Sequence, residues 1–417
     1  MKSRSTLVRA MSVVIGLVAV ALVVAACSTN SSSSTSTTSG GSGSSSTPTG
    51  SPITIGGFDS LSNPEYSAPE TQSGLQAAVG DINAHGGING HVLKLNFCNS
   101  GYIANQELAC TNQLIAANVT ALVAPSILAD QTGREYTAAQ AAGMPIIGTQ
   151  GLTPPELTSP VTFPAGSGIP GWAYGAADAL VSQGIRKINI LTDTNGSSQY
   201  FASFIAAGLK SAGITPQIVT ADPTSDPTFS TAAAKVTQGA EGIIMCPSPV
   251  NIPKMITAIK QTSYTGKLAS ITALFPPAIL QALGSSANGI ILSSQMAFTT
   301  DTSNSGVKQF LADMNKYAPG AAVDNTSETA WTGAMLYAAV ARNDKAYDAA
   351  SVLNGFKTLS TPIDVGTLAP YKVVGAVQPL PQYTRIFNPT VQIGAVANGK
   401  VEANGKGFVN PFTGLKG

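Results

Sequence analysis

The sequence predicts an α/β protein made of two doubly wound parallel-sheet lobes joined by hinge crossovers. Three observations carry this expectation. From Ile53 onward, short β-rich apolar runs alternate with segments of helical period, the pattern of a parallel sheet covered on both faces. The alternation stops over Pro154 to Pro170, a stretch rich in proline and glycine, and then restarts. The chain beyond its first fifty residues is also long for one domain and comfortable for two.

Ile53-Thr54-Ile55-Gly56 is the first expected strand. Leu75, Ala78, Val79 and Ile82 then fall at i, i+3, i+4 and i+7, a single apolar helical face. Gly86-Gly87 ends that helix, because glycine accepts the left-handed conformation. Leu93, Leu95 and Phe97 alternate as a strand. A helix from Gln106 to Ala117, a strand at Ala121 to Ala124, a helix from Gln131 to Ala142 and a strand at Pro145-Ile146-Ile147 complete the first series. After the pause come strands at Ile188 to Leu191, Gln217 to Thr220, Gly242 to Met245 and Lys267 to Ile271. Helices at Tyr200 to Ala212, Phe229 to Gln238 and Ile252 to Thr262 separate them.

The C-terminal region holds one strong helix, Glu328 to Arg342, and a strand at Thr390 to Val396. It is expected to be shared between the lobes, which are then discontinuous. The first lobe takes residues 51–163 and 293–369; the second takes residues 171–292 and 371–411. Two such units face each other across a cleft, with the ligand at the carboxyl ends of the strands.

The amino terminus bears on location. Lys2, Arg4 and Arg9 precede an uncharged run from Ala10 to Ala26, and Val24-Ala25-Ala26 meets Cys27. Small residues before a cysteine match a bacterial lipoprotein signal, residues 1–26, that is cleaved so that Cys27 carries lipid. The run is also about as long as a minimal membrane span, so a retained anchor helix is the rival reading. Residues 27–50 are almost all Ser, Thr and Gly, a flexible leash reaching on the order of tens of ångströms. Everything beyond Cys27 is then extracytoplasmic and tethered to the cell membrane.

Charged residues make up only 10% of the chain, with Lys+Arg 22 against Asp+Glu 21. No basic excess marks a nucleic-acid surface. Cys98 and Cys110 are close in sequence, and an oxidising setting permits a disulfide between them; two buried thiols is the alternative. Cys246 follows the apolar run Gly242 to Met245 and reads as a core thiol. His85 and His91 are the only histidines and no C-x-x-C occurs, so no metal site is expected.

Asp81-Ile82-Asn83-Ala84 running into Gly86-Gly87-Ile88-Asn89-Gly90, and the loop Gly151-Leu152-Thr153-Pro154-Pro155-Glu156-Leu157, resemble the periplasmic-binding-protein type I family. The branch is that of branched-chain amino-acid binding proteins of ABC importers, and the resemblance spans roughly residues 53–396. Cys98 and Cys110 lie where many members carry a cysteine pair. The resemblance implies a lipid-anchored, monomeric receptor that closes on a small molecule and delivers it to ABC permease and ATPase subunits. It implies no cofactor and no bond-breaking chemistry.

The resemblance also implies where the ligand sits. Relatives hold an amino-acid carboxylate with hydroxyls and N–H groups of two first-lobe loops, here Pro125 to Leu128 and Gly148 to Thr153. Such loops run from strand to helix and offer unpaired donors. Thr153 matches the family threonine, Ser126 lies near the family serine, and Thr149, Gln150 and Leu152 complete the loop. Thr153, standing before two prolines, has turn support as its alternative role. Tyr66 lies beside the family's aromatic wall, with a buried core tyrosine as its alternative. The second lobe departs from the pattern: Ser197 replaces an aromatic, Pro247-Ser248-Pro249 replaces a tyrosine-rich segment, and Thr272 stands where relatives carry the acid that receives the ammonium. An unpaired buried ammonium is expensive, so the expected ligand is a less charged one, an amide, a short-chain organic acid or an aromatic metabolite, rather than a simple α-amino acid. Glu328 and Asp193 are the acids left to take that role, and the sequence places neither in the cleft.

Rival chemistries are weak. Gly166-Ser167-Gly168-Ile169-Pro170-Gly171 fits G-x-G-x-x-G, but Pro164 and Pro170 argue against the strand-to-helix context that a dinucleotide site needs. A crossover near the hinge is the better reading. Asn118-Val119-Thr120 and Asn325-Thr326-Ser327 fit glycosylation sequons, which normally mean nothing in a bacterial lipoprotein. A ligand-sensing component of a signalling system is the main alternative function, ahead of an extracytoplasmic hydrolase.

Overall fold

The computed structural model describes residues 48–415. The expected signal at 1–26, lipid-bearing Cys27 and nearly all of the 27–50 tract lie outside the described residues. The first sheet is built from β1 (Gly50–Asp59), β2 (His91–Asn99), β3 (Leu122–Val123), β4 (Ile146–Ile147) and β5 (Thr162–Phe163), in the order β2-β1-β3-β4-β5 and all parallel. Between them run α1 (Pro69–Ala84), α2 (Ala104–Ala116) and α3 (Arg134–Ala141). The chain leaves α1 through Gly86 and Gly87, both with positive φ, as a left-handed exit requires.

The second sheet follows α4 (Gly168–Val181). It comprises β6 (Ile188–Asp193), β7 (Ile218–Ala221), β8 (Gly242–Met245), β9 (Lys267–Ile271) and β10 (Ile291–Ser294), with α5 (Gly196–Ser211), α6 (Ser230–Val236), α7 (Ile252–Lys260) and α8 (Pro277–Leu283) between them. Three more helices, α9 (Ser305–Tyr317), α10 (Asn325–Ala341) and α11 (Ala349–Lys357), precede β11 (Gln392–Ala397), β12 (Lys400–Ala403) and the short α12 (Pro411–Gly414). The sheet order is β12-β11-β10-β9-β8-β6-β7. β11 and β12 are antiparallel, so the otherwise parallel sheet ends in a hairpin.

Each sheet is covered on both faces. Leu75, Ile82, Phe310, Trp331, Leu336 and Phe356 from α1, α9, α10 and α11 form one core with Ile53, Ile55 and Ile147 of the first sheet. Cys110, Leu114 and Tyr136 from α2 and α3 cover its other face with Phe58, Leu122 and Ile146. Trp172, Leu180 and Ile205 pack on Ile190, Ile244 and Ile271 of the second sheet, while Met255 and Ile256 pack on Ile243 and Leu292 opposite. The chain passes between the sheets three times: from β5 to α4, from β10 to α9, and from α11 to β11.

Two expectations change. The glycine-rich motif does stand between a strand and a helix, because α4 begins at Gly168 with Pro170 in its first turn, where a missing N–H leaves no broken bond. A Cβ on Gly166 would lie 1.9 Å from Gln295 Oε1, and the Gly168 N–H already donates to that oxygen at 3.1 Å, so the turn is filled by the protein itself. Tyr371 and Phe387, expected with the second lobe, belong to the first core. Phe387 stacks on Phe163 at 6.0 Å and Tyr371 meets Phe387 edge-on at 6.2 Å. The Arg385 guanidinium lies over both phenylalanine rings, which fastens this returning segment to the first sheet.

Candidate functional site

The carboxyl ends of β1, β3 and β4 converge on a small pit of about 10 Å³, which opens beside a wide cleft of about 1690 Å³. Ser126, Thr149, Gln150 and Leu152 line the pit together with Asp59, Thr71, Thr326 and Thr329. Tyr66 and Thr272 line the cleft with Glu70, Asp324, Asn325 and Glu328, and Thr326 touches both spaces. Pro249, Val250, Ala273 and Pro276 supply the second sheet's side of the cleft.

Asp59 ends β1 and is buried, accepting hydrogen bonds from the Thr71 hydroxyl at 2.6 Å and the Ser60 N–H at 2.8 Å. Burial outweighs these bonds and pushes its carboxyl up to about 7. Ser126 is held beside it by its own N–H, which donates to the Phe58 carbonyl at 2.9 Å. Tyr66 is half-buried and packs against Tyr102 with ring centroids 5.2 Å apart. Burial and the nearby Asp59 both raise its phenol above the usual range.

The loop after β4 lies against α10 because neither backbone carries a side chain at the contact. A Cβ on Gly148 would come 2.3 Å from Gly333 Cα. The same loop is organised by Glu156, whose carboxylate accepts from Gly151 N–H at 2.6 Å and Leu152 N–H at 2.8 Å. Glu107 does the same for the loop after β3, accepting from Leu128, Ala129 and Asp130 N–H at 3.2, 2.9 and 2.9 Å. Burial raises both carboxyls while these N–H bonds oppose it. Bonds to an ionised acceptor contribute about 1.5–3 kcal/mol each, so the two carboxylates hold the pit's rim in shape.

Not every candidate reaches the site. Thr153 is fully buried, with its hydroxyl 3.3 Å from Tyr136 Oη and 3.4 Å from the Glu156 N–H; it supports the turn and lines neither space. Ser197 opens α5, its N–H donating to the cap residue Asn195. Ser248 donates its N–H to Asp193 Oδ2 at 2.7 Å, and Asn251 Nδ2 donates to the same oxygen at 2.8 Å. Asp193 therefore shapes the second lobe's loops, and neither Ser197 nor Ser248 lines the pit or the cleft. Cys98 and Cys110 form a disulfide between β2 and α2, while Cys246 is a buried free thiol pushed up to about 12 by burial.

The sequence reading missed Asp59, Thr71, Glu70, Asp324, Asn325 and Thr326. An acid or threonine at the end of a strand or the start of a helix carries no signal until sheet order brings those ends together. Glu328 was a candidate without a place, and it now lines the cleft from the first turn of α10. Among the described residues no group of three His, Cys, Asp or Glu side chains is arranged to hold a metal ion.

Residues 52–386 match the family model described as periplasmic binding protein. No curated protein matches the chain. Among solved structures, an extracellular ligand-binding receptor from Verminephrobacter eiseniae is similar at TM-score 0.71 and 17% identity, covering 84% of this chain and 99% of its own. The branched-chain amino-acid transporter substrate-binding protein LivJ of Streptococcus pneumoniae, in complex with isoleucine, gives 0.68 and 20% over 86% and 100%. A fatty acid ABC transporter substrate-binding protein from Thermomonospora curvata gives 0.70 and 15% over 86% and 92%. At these identities the likeness is one of fold.

Proposed function

Because the chain belongs to the periplasmic binding protein family, we propose that it is an extracytoplasmic solute receptor that captures a small polar molecule by closure of its two lobes and delivers it to an ABC importer. The observation that carries this reading is the cleft of about 1690 Å³, whose walls come from both sheets. A ligand that touches both walls binds the closed arrangement better than the open one, so capture and closure are one equilibrium. The pit supplies hydroxyls from Ser126, Thr149 and Thr71, and the cleft supplies an aromatic wall at Tyr66 and the Thr272 hydroxyl. In this reading the lobes are residues 51–163 with 293–369 and residues 171–292 with 371–411, apart from the first-core residues Tyr371 and Phe387. Cys27 carries the lipid, the Ser/Thr/Gly tract is the tether, and no bond is made or broken in the cleft.

Native mass spectrometry of the purified protein tests the proposal. A co-purified small molecule, lost on denaturation, is the expected result. Turnover of an added substrate by a protein that purifies empty would overturn it.

A further inference from the structure

The first lobe's side of the cleft is acidic and contains acceptors without donors. Glu328 is buried to 1% exposure, and its Oε1 has no hydrogen-bond partner. Asn325 lies one turn earlier on α10, and its Oδ1 is likewise buried and unpartnered. Positions three apart on a helix share a face, so the two orphan acceptors are neighbours, and both residues line the cleft. Burying an acceptor without a donor is costly, and a ligand's N–H groups would remove that cost.

The charge around them has one sign. Asp324 lies close enough to push Glu328 and Glu70 upward, adding to the larger effect of burial on each. Tyr66 sits among Asp59, Asp324 and Glu70. None of these acids has an ion-pair partner among the described residues, whose ion pairs are His85–Asp81, Arg134–Asp130 and Lys187–Glu241. The pit has no basic residue in its lining, and the cleft has only Lys400, on β12 of the second lobe, in a lining that also holds Glu402 and Asp301.

A ligand carboxylate would find the Ser126 and Thr149 hydroxyls in the pit, but five of the N–H groups on the two loops are already used. The loop N–H groups of Gly151 and Leu152 are taken by Glu156, and those of Leu128, Ala129 and Asp130 by Glu107. The acids are not arranged as a metal cage, which leaves an organic cation. We infer that the cleft selects a small organic cation, a primary ammonium or an amidinium-type group with no carboxylate of its own, whose N–H donors meet Glu328 and Asn325 on α10. The inference rests on the solute-receptor reading and narrows its ligand class.

Isothermal titration with isobutylamine, agmatine, leucine, isobutyramide and isovalerate tests it. At least one of the two cationic probes is expected to bind at least 100-fold more tightly than leucine and isovalerate. Glu328→Gln, which keeps the side chain's shape, should weaken that binding at least tenfold with an unchanged melting temperature. Glu70→Gln, at a half-buried position, should weaken it two- to threefold. Leucine, isobutyramide or isovalerate binding more tightly than both amines overturns the inference and leaves the solute-receptor reading standing. A Glu328→Gln protein that binds the amines as wild type does also overturns it. Silence of both amines overturns it too; the broader reading fails with it only if the protein also purifies empty and no added solute stabilises it.

Discussion

Glu135 is fully buried on α3, and neither of its carboxylate oxygens has a hydrogen-bond partner. Burial, with Asp130 and Glu107 nearby, pushes it up to about 7. An unfolded glutamate titrates near about 4.3. Between those values the folded chain holds a proton that the unfolded chain has released, so the group's stabilising effect is full below about pH 4.3 and is lost as pH rises towards 7. Glu135→Gln removes this titration. Relative to wild type, the variant should gain on the order of 2 kcal/mol at pH 8 compared with pH 4, read by urea unfolding at both. Equal pH slopes in the two proteins would show that Glu135 does not titrate this way. Residues of this kind were opaque in the sequence, because nothing local says whether a glutamate on a short helix faces water or the core. Ser126, Thr149, Gln150 and Leu152 were expected from the family resemblance, and they line the pit because they sit on loops leaving strands, where a doubly wound sheet puts its ligand. Thr153 was not, since its hydroxyl turns inward to Tyr136 and Glu156, contacts with partners remote from any local pattern.

Among the elements, α10 does most to shape the site. Asp324 caps it with bonds to the N–H groups of Thr326 and Ser327. Its interior Gly333 lets the loop at Gly148 approach, and a Cβ there would lie 2.9 Å from Gly148 Cα. Glycine inside a helix ordinarily costs about 1 kcal/mol against alanine, so Gly333→Ala on an exposed face would stabilise. Here it should destabilise by about 1–3 kcal/mol through overpacking and weaken ligand binding by displacing Gly148 to Leu152. Gly196→Ala, where a Cβ meets open space, is the control. Denaturant midpoints and a binding isotherm on both variants check the pair, and a stabilised Gly333→Ala with normal affinity would refute the close-approach argument. Sequence periodicity found α10 and most strands, because their apolar residues repeat cleanly. It missed α4, whose opening Gly-Ile-Pro-Gly reads as a turn although Trp172, Ala173, Ala177 and Leu180 bury it against the second sheet. It also missed β12, half of an edge hairpin that is mostly exposed.

At the scale of the whole molecule the two walls of the cleft differ in kind. The first lobe contributes Tyr66, Glu70, Asp324, Asn325 and Glu328, whereas the second contributes an apolar stretch, Pro249, Val250, Ala273, Phe275 and Pro276, with Thr272, Lys400 and Glu402 among its polar groups. In the proposed receptor, polar contacts on one wall would choose the ligand, and apolar burial on the other would favour closure over it. Val250 isolates the second role, being 58% exposed. Covering half of such a side chain on closure is worth about 1 kcal/mol, roughly a fivefold change in affinity. Val250→Ser should therefore leave ligand-free stability within about 0.5 kcal/mol of wild type, as expected for a surface site. Affinity for the molecule that co-purifies with the protein should fall several-fold, and the ligand-induced decrease in radius of gyration should shrink in small-angle scattering. Gln295, just past β10, donates to the Gln150 carbonyl at 3.2 Å while accepting from Gly168 at the start of α4. That side chain ties the rim of the pit to two of the three crossovers. If Val250→Ser keeps both the wild-type affinity and the full compaction, closure must be driven from the first lobe's polar wall instead.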